Sequence, residues 1–385
     1  MSQDPIASSG VVVVIGGGVI GLAVAWRAAQ RGHAVRVIER GELGAGTSRV
    51  AAGMLAPVTE ADAGELALLE LGLRSARAWP AFADELAAAS GTDPGLRRCG
   101  SLVVARDRDE AAALERELAL RLDLGLDVER VLASAARRLE PALAPTVRLA
   151  LAVPGDHAAD PRALVLALTE AARRAGVQLR TRTTVQRIRI DRGRVTGVEL
   201  AGGELVQAGQ VVVAAGAWSG AIAGLPDAAR IPLRPVKGQI LRLRDPQGPG
   251  LLERIVRFEG GYLVPRGDGR YVLGATMEER GFDTTVTAGG LYELLRDASE
   301  LVPGVHELVV EEAAAGLRPA TPDNAPVLGT GAEVDGLVWA TGHHRNGILL
   351  APVTADIVAG GLDGDAAPPQ FAPGRFAATR EGAPA

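Results

Sequence analysis

Five apolar residues in a row, Val11–Ile15, are followed by a cluster of glycines. After the glycines, apolar positions recur at helical spacing through "VIGLAVAWRAAQR", and a second apolar run, "AVRVIE", covers residues 34–39. A strand, a helix and a strand in this order predict a βαβ unit of a parallel sheet. Alanine-rich periodic stretches predict helices over Glu65–Ser90 and Asp109–Leu124. A third helix is expected over 161–176, with proline in its first turn and glycine at its end. The alternating stretch "VQLRTRTTVQRIRIDRGRVTGVEL" predicts strands with a turn at Asp191–Gly193, and "QVVVAAGAWS" a buried strand ending at Gly216. Residues 231–286 change texture. There "GQILRLR", "RIVRFE", "GYLVPRG" and "RYVLGAT" are short strands between glycine-rich turns, which predicts an antiparallel sheet. A helix near Leu291–Leu301, a strand over Val309–Ala315, and a final strand, loop and helix in "GLVWATGHHRNGILLAPVTADIVAGG" complete the pattern.

With 385 residues the chain is longer than one core usually serves, so two domains are expected. The class is α/β: a Rossmann-type nucleotide-binding domain assembled from separate pieces, interrupted by an antiparallel-sheet domain. No apolar run approaches the ~20 residues needed to cross a bilayer, so no integral membrane segment is expected. The opening "MSQDPIASSG" has no basic start or apolar stretch and reads as a loose leader, while the tail from Asp363 is expected to be only partly ordered. Cys99 is the only cysteine, which excludes an internal disulfide and favours a reducing, cytoplasmic location. It is expected to be a solitary thiol without chemistry. The net charge of −5 argues against nucleic acid as a partner. Only Lys237 among 41 basic residues is lysine, so no arginine stands out by its type alone.

Gly16, Gly18 and Gly21 form G-x-G-x-x-G directly after the first strand and at the start of the first helix. Glycine is required there because a Cβ would block the tight turn and the approach of a pyrophosphate to the helix's free N–H groups. Glu39 ends the second strand, close to the spacing of ~20 residues expected for an acid that binds a ribose hydroxyl. Together they predict a dinucleotide site. The motif leaves open which dinucleotide.

Six stretches carry a wider resemblance: "VVIGGGVIGLAVAW", "GTSRVAAGMLAP", "VVVAAGAWS", "GYLVPRGDGRYVLGATME", "GLRPATPDNAPVLG" and "TGHHRNGILLAP". Their sequence and order resemble the D-amino-acid oxidase superfamily of flavoproteins over nearly the whole chain. The resemblance implies non-covalently bound FAD, with contacts from Val19, Ile20, Glu39, Arg40, Thr47, Ser48, Ala52, Gly53, Met54 and Gly216. It also implies that the Val185 backbone lies near the adenine, and that His343, His344, Arg345, Asn346, Gly347, Ile348 and Leu349 wrap the flavin ring. A helix starting near Asn346 would point its positive end at a reduced, negatively charged flavin. The FAD-binding domain is then expected over 1–90, 145–226 and 312–385, and the substrate domain over 91–144 and 227–311. His343 and His344 suggest a metal at first sight, but adjacent side chains diverge and no third ligand is near in sequence, so no metal is expected.

By the same resemblance Arg318 clamps the carboxylate of a small amino acid, with Arg345, Tyr262 and Met277 lining the pocket. No residue is assigned as an acid or base, because hydride transfer to flavin N5 needs orientation and a neutral amine. The implied reaction converts glycine, sarcosine or a small D-amino acid to an imine while O2 becomes H2O2. The imine then hydrolyses to glyoxylate or passes to thiazole synthase for thiamine. A homotetramer is implied too. Gly260 stands where a relative can carry histidine, two residues before the tyrosine, which leaves pocket polarity open. The alternatives are a sarcosine oxidase or D-amino-acid dehydrogenase on the same fold, or a flavin-binding assembly protein without turnover.

Overall fold

The computed structural model describes residues 10–376. One sheet has six strands in the order Val327–Thr330, Leu337–Thr341, Gln210–Val213, Val11–Ile15, Ala34–Ile38 and Gln178–Arg180. All neighbours are parallel except Val327–Thr330, which closes one edge antiparallel. Val11–Ile15 lies inside this sheet, and a strand covered on both faces must be apolar at every position. Val12 and Val14 face one core, where Leu22, Ala25 and Trp26 of helix Val19–Gln30 meet Leu164 and Leu168 of helix Pro161–Arg174 and Val353 and Val358 of helix Ala351–Leu362. Val13 and Ile15 face the other, closed by Ile188, Val195, Val198 and Val206 of a three-stranded antiparallel sheet. Truncating a buried aromatic such as Trp26 in the first core costs about 3–5 kcal/mol. The hairpin Val185–Asp191/Arg194–Leu200 turns through Arg192 and Gly193, with φ of 47° and 77°, the two positive values that a tight two-residue turn requires.

The second large sheet has eight strands: Val309–Ala320, Arg234–Arg244, Arg270–Gly274, Gly261–Pro265, Ile255–Phe258, Ser101–Ala105, Leu149–Val153 and Glu129–Leu132. Alternation splits its two faces. Leu241, Val256, Leu263 and Leu273 pack against Leu294, Ala298 and Leu301 of helix Ala288–Leu301, while Ile240, Tyr262, Val264 and Val272 face the opposite way. Val309–Ala320 runs five residues beyond the expected end at Ala315. Its small residues carry little strand propensity, but they pair with Arg234–Arg244 as far as Arg234↔Ala320. Leu149–Val153 also joins this sheet, although the boundary expected at 145 puts it elsewhere, and Val309–Ala320 crosses the boundary expected at 312.

The closing helix differs from expectation. A single 3-10 turn spans His344–Asn346, and the α-helix begins only at Ala351, with Pro352 in its first turn where its missing N–H costs nothing. Residues 363–376 are packed rather than loose, because Phe371 and Phe376 are buried and the Arg375 guanidinium donates to Asp323 and to the Ala325 carbonyl, each at 2.8 Å. Most of the expected leader and the last nine residues of the tail lie outside the described residues. Among the described residues, no helix is long and apolar enough to cross a membrane.

Candidate active site

The first glycine loop is built by close approach. A Cβ on Gly16, whose φ is +108°, would sit 2.4 Å from the Ala214 carbonyl oxygen, and one on Gly21 would sit 1.9 Å from the Gly16 carbonyl oxygen. Gly18 caps the helix without a side chain, and the Val19 N–H donates to Ser48 Oγ at 3.0 Å. Glu39 is fixed at the end of its strand by accepting from the Gly17 and Gly41 N–H groups at 2.7 and 2.8 Å. These groups open onto a cavity of about 1230 Å³.

The same cavity is lined by Gly16, Gly18, Val19, Ile20, Glu39 and Arg40 at one end, and by Thr47, Ser48 and Ala52–Met54 along its side. Val185 and Gly216 also face it, as do His343–Ile348 from the far end of the chain. Two expected contacts stand apart from the lining. Gly21 is turned against the Gly16 carbonyl, and the Leu349 side chain is in the core while its carbonyl accepts from Ser75 Oγ at 2.6 Å and Trp79 Nε1 at 2.8 Å. The Thr47 hydroxyl donates to the Leu317 carbonyl at 2.7 Å, tying the dinucleotide side to the strand that carries Arg318. The Arg40 guanidinium lies over Trp218, 3.8 Å from the ring centroid.

The segment after Thr341 sorts its two histidines. His343 is buried and its Nε2 pairs with Thr354 Oγ1 at 2.9 Å, and burial lowers its pKa to about 3. His344, with φ of +45°, lines the cavity, yet neither of its ring nitrogens has a partner among the described residues. Burial first, and then the charges of Arg318, Arg345 and Arg234, lower its pKa to about 4. Both imidazoles are neutral near pH 7. The expected helix end near Asn346 is replaced by a turn, but among the described residues the N–H groups of Gly347, Ile348 and Leu349 have no acceptor within the protein. These donors keep the positive character expected of a helix start.

On the eight-stranded sheet, the Arg318 guanidinium lies across Gly238, where a Cβ would be only 2.4 Å from Nη1. The Arg318 Nη1 donates to the Thr276 carbonyl at 3.1 Å and more weakly to the Lys237 carbonyl at 3.4 Å. Tyr262 stands beside it. Burial raises the Tyr262 pKa, and the Arg318 charge opposes that rise. Arg345 lines the cavity, but its guanidinium is paired with Glu60 at 2.9 Å and Glu65 at 3.3 Å, so it is not an open clamp. Met277 is at the cavity's edge with 65% of its surface exposed, where the expectation packed it against substrate. Sequence reasoning missed Glu60, Gln239 and Arg257 as lining residues; none sits in a motif of its own. It also missed Trp218, although the residue lies in the quoted "VVVAAGAWS".

The residues fit one long dinucleotide. A glycine-bounded helix start with an acid marks one end of the cavity, and the unpartnered backbone N–H groups of Gly347 and Ile348 mark the other. The family model described as FAD dependent oxidoreductase (DAO) matches residues 12–360, and the chain belongs to that family. It is therefore an FAD-dependent oxidoreductase. More particularly, it is 38% identical over 353 residues to glycine oxidase from Geobacillus kaustophilus, covering 90% of this chain and 91% of that protein. The crystal structure of glycine oxidase from that organism matches with a TM-score of 0.86 at 36% identity, covering 94% of this chain and 97% of that one. The bifunctional protein ThiO/ThiG from Trichormus variabilis is 37% identical over 350 residues, which cover 90% of this chain and 52% of the longer protein. Iminodiacetate oxidase from Chelativorans sp. BNC1 matches with a TM-score of 0.84 at 30% identity, over 94% and 98% of the two chains.

Proposed function

We propose that this protein oxidises glycine and other small amino acids to the corresponding imine, with O2 as electron acceptor and H2O2 as product. The observation that carries the proposal is Arg318, held by main-chain carbonyls at the end of a dinucleotide cavity and beside Tyr262. Since its Nη1 is engaged, Nη2 and Nε remain to grip a carboxylate with two charge-assisted hydrogen bonds. Bound FAD supplies the hydride acceptor. The Gly347 and Ile348 N–H groups would hold negative charge at the ring.

The amine must be neutral when hydride leaves. Burial, and after it the charges of Arg318, Arg345 and Arg234, depress the His344 pKa, and the same surroundings disfavour an ammonium. Substrate therefore loses its proton without a dedicated base. The neutral His344 nitrogens are available to orient the amine.

Cys99 does not line the cavity, which supports non-covalent cofactor binding. The ThiO/ThiG relatives support delivery of the imine to a thiazole synthase partner. Assembly as a homotetramer in the cytoplasm belongs to the same proposal, and light scattering of the purified protein tests the oligomer. The catalytic test measures O2 uptake and peroxide with glycine, sarcosine and D-alanine, alongside dye reduction under nitrogen. Peroxide in proportion to glycine consumed supports an oxidase. Dye reduction with no peroxide assigns a dehydrogenase instead.

A further inference from the structure

Five arginines line the cavity, and four are engaged. Arg40 lies over Trp218, Arg296 pairs with Asp297 at 2.8 Å, Arg318 donates to carbonyls, and Arg345 is held by two glutamates. Arg257 is the exception: half-buried, with no hydrogen-bond or ion-pair partner for its side chain among the described residues. Its place in the sheet gives that charge a direction. Arg257 is the cross-strand partner of Tyr262, which in turn pairs with Gly274, and Gly274 with Ile240. Directly paired residues point to the same face. Arg257 therefore shares the face of Tyr262 and Gly238, away from helix Ala288–Leu301.

The Arg318 guanidinium lies over Gly238, three strands from Arg257, roughly 14 Å away at backbone level from strand spacing. Tyr262 lies between them. A guanidinium on the cavity wall without a protein partner keeps its donors free for an incoming anion. Of the other carboxylates lining the cavity, Glu60 pairs with Arg345, Glu278 with Lys237, and Asp297, on helix Ala288–Leu301, with Arg296. Glu293 is exposed on the helix that covers the sheet's other face. Gly260, at the tip of the hairpin, also lines the cavity and contributes no side chain to it.

We propose that Arg257 forms a second anion subsite, and that the cavity takes amino acids carrying a second carboxylate beyond the amine, one carboxylate on Arg318 and the other on Arg257. This rests on the amino-acid oxidase reading above. The same oxidation applies: the Cα–H leaves as hydride to the cofactor, the amine lone pair forms the C=N bond, and O2 takes the two electrons.

The test compares kcat/KM for iminodiacetate and sarcosine, two N-substituted glycines that differ in the second carboxylate. The yellow wild-type holoenzyme should favour iminodiacetate by about tenfold or more, as a new charge-assisted contact allows. Arg257→Met should bring that ratio to near one, and Arg257→Lys should retain part of it. A wild-type ratio at or below one, or an Arg257→Met ratio equal to wild type, overturns the subsite. Loss of flavin colour in Arg257→Met overturns it as well, because Arg257 then serves the cofactor. If the yellow protein oxidises glycine but fails these criteria, only the subsite falls. If it oxidises none of the three, the amino-acid reading falls with it.

Discussion

Replacing Arg318 with methionine keeps much of the side chain's length and removes its charge. In the structure Nη1 is spent on the Thr276 and Lys237 carbonyls, so Nη2 and Nε are the donors left for a carboxylate. Hydrogen bonds to charged groups are worth about 1.5–3 kcal/mol each. Two of them give about 3–6 kcal/mol, and at ~1.36 kcal/mol per factor of ten the loss in kcat/KM for glycine is about 10²–10⁴. Loss of a clamp that grips ground state and transition state alike should appear mainly in KM. Misorientation of Cα should lower the limiting rate as well. The variant should stay yellow, because the residue sits on the sheet of Tyr262 rather than on the glycine loop. Anaerobic stopped-flow reduction with a glycine titration separates the binding constant from the reduction rate. A kcat/KM within threefold of wild type, with full flavin content, would refute the clamp.

Gly21→Ala places a methyl 1.9 Å from the Gly16 carbonyl oxygen and should yield protein with little bound FAD, read as the ratio of visible to ultraviolet absorbance. Acid precipitation should release all flavin into the supernatant, because the lone thiol at Cys99 does not line the cavity; yellow colour left on the precipitate contradicts this. His343 is buried neutral with a folded pKa of about 3 against an unfolded value near 6.5, so its stabilisation is complete above pH 6.5 and is lost as pH falls toward 3. At pH 4.5, two units below the unfolded value, that loss is about 3 kcal/mol. His343→Gln should therefore lose less Tm than wild type between pH 7 and pH 4.5, and an equal loss in both rejects the assignment. Asp156 acts oppositely. Burial raises its carboxyl to about 6, so its contribution grows as pH falls from 6 toward 4, and Asp156→Asn should remove that gain in the same Tm series.

The parallel sheet was legible because Val11–Ile15 is apolar at every position and the glycine loop after it is punctuated by Gly16, Gly18 and Gly21. The order of the second sheet was not legible. Leu149–Val153 reads equally well as a strand of either sheet, and only pairing with Ser101–Ala105 decides. The convergence of residues 343–348 on the glycine loop came from the family resemblance, since nothing local marks a flavin site. The closing helix was misplaced because "NGILL" has helical periodicity, whereas Pro352 sets where the regular hydrogen bonding begins. Arg345 and Met277 show a further limit. A family position identifies which residue faces the cavity, but not that Glu60 and Glu65 already hold its charge, or that its side chain lies at the exposed edge.

Purified protein, freed of oxygen and titrated with glycine while its visible absorbance is recorded, gives the most direct measurement. If residues 11–39 and 343–348 close on one FAD with Arg318 beside it, the flavin band bleaches in proportion to glycine and returns on admitting air. A colourless protein that takes up no FAD, or a yellow one that glycine leaves unchanged, contradicts the account.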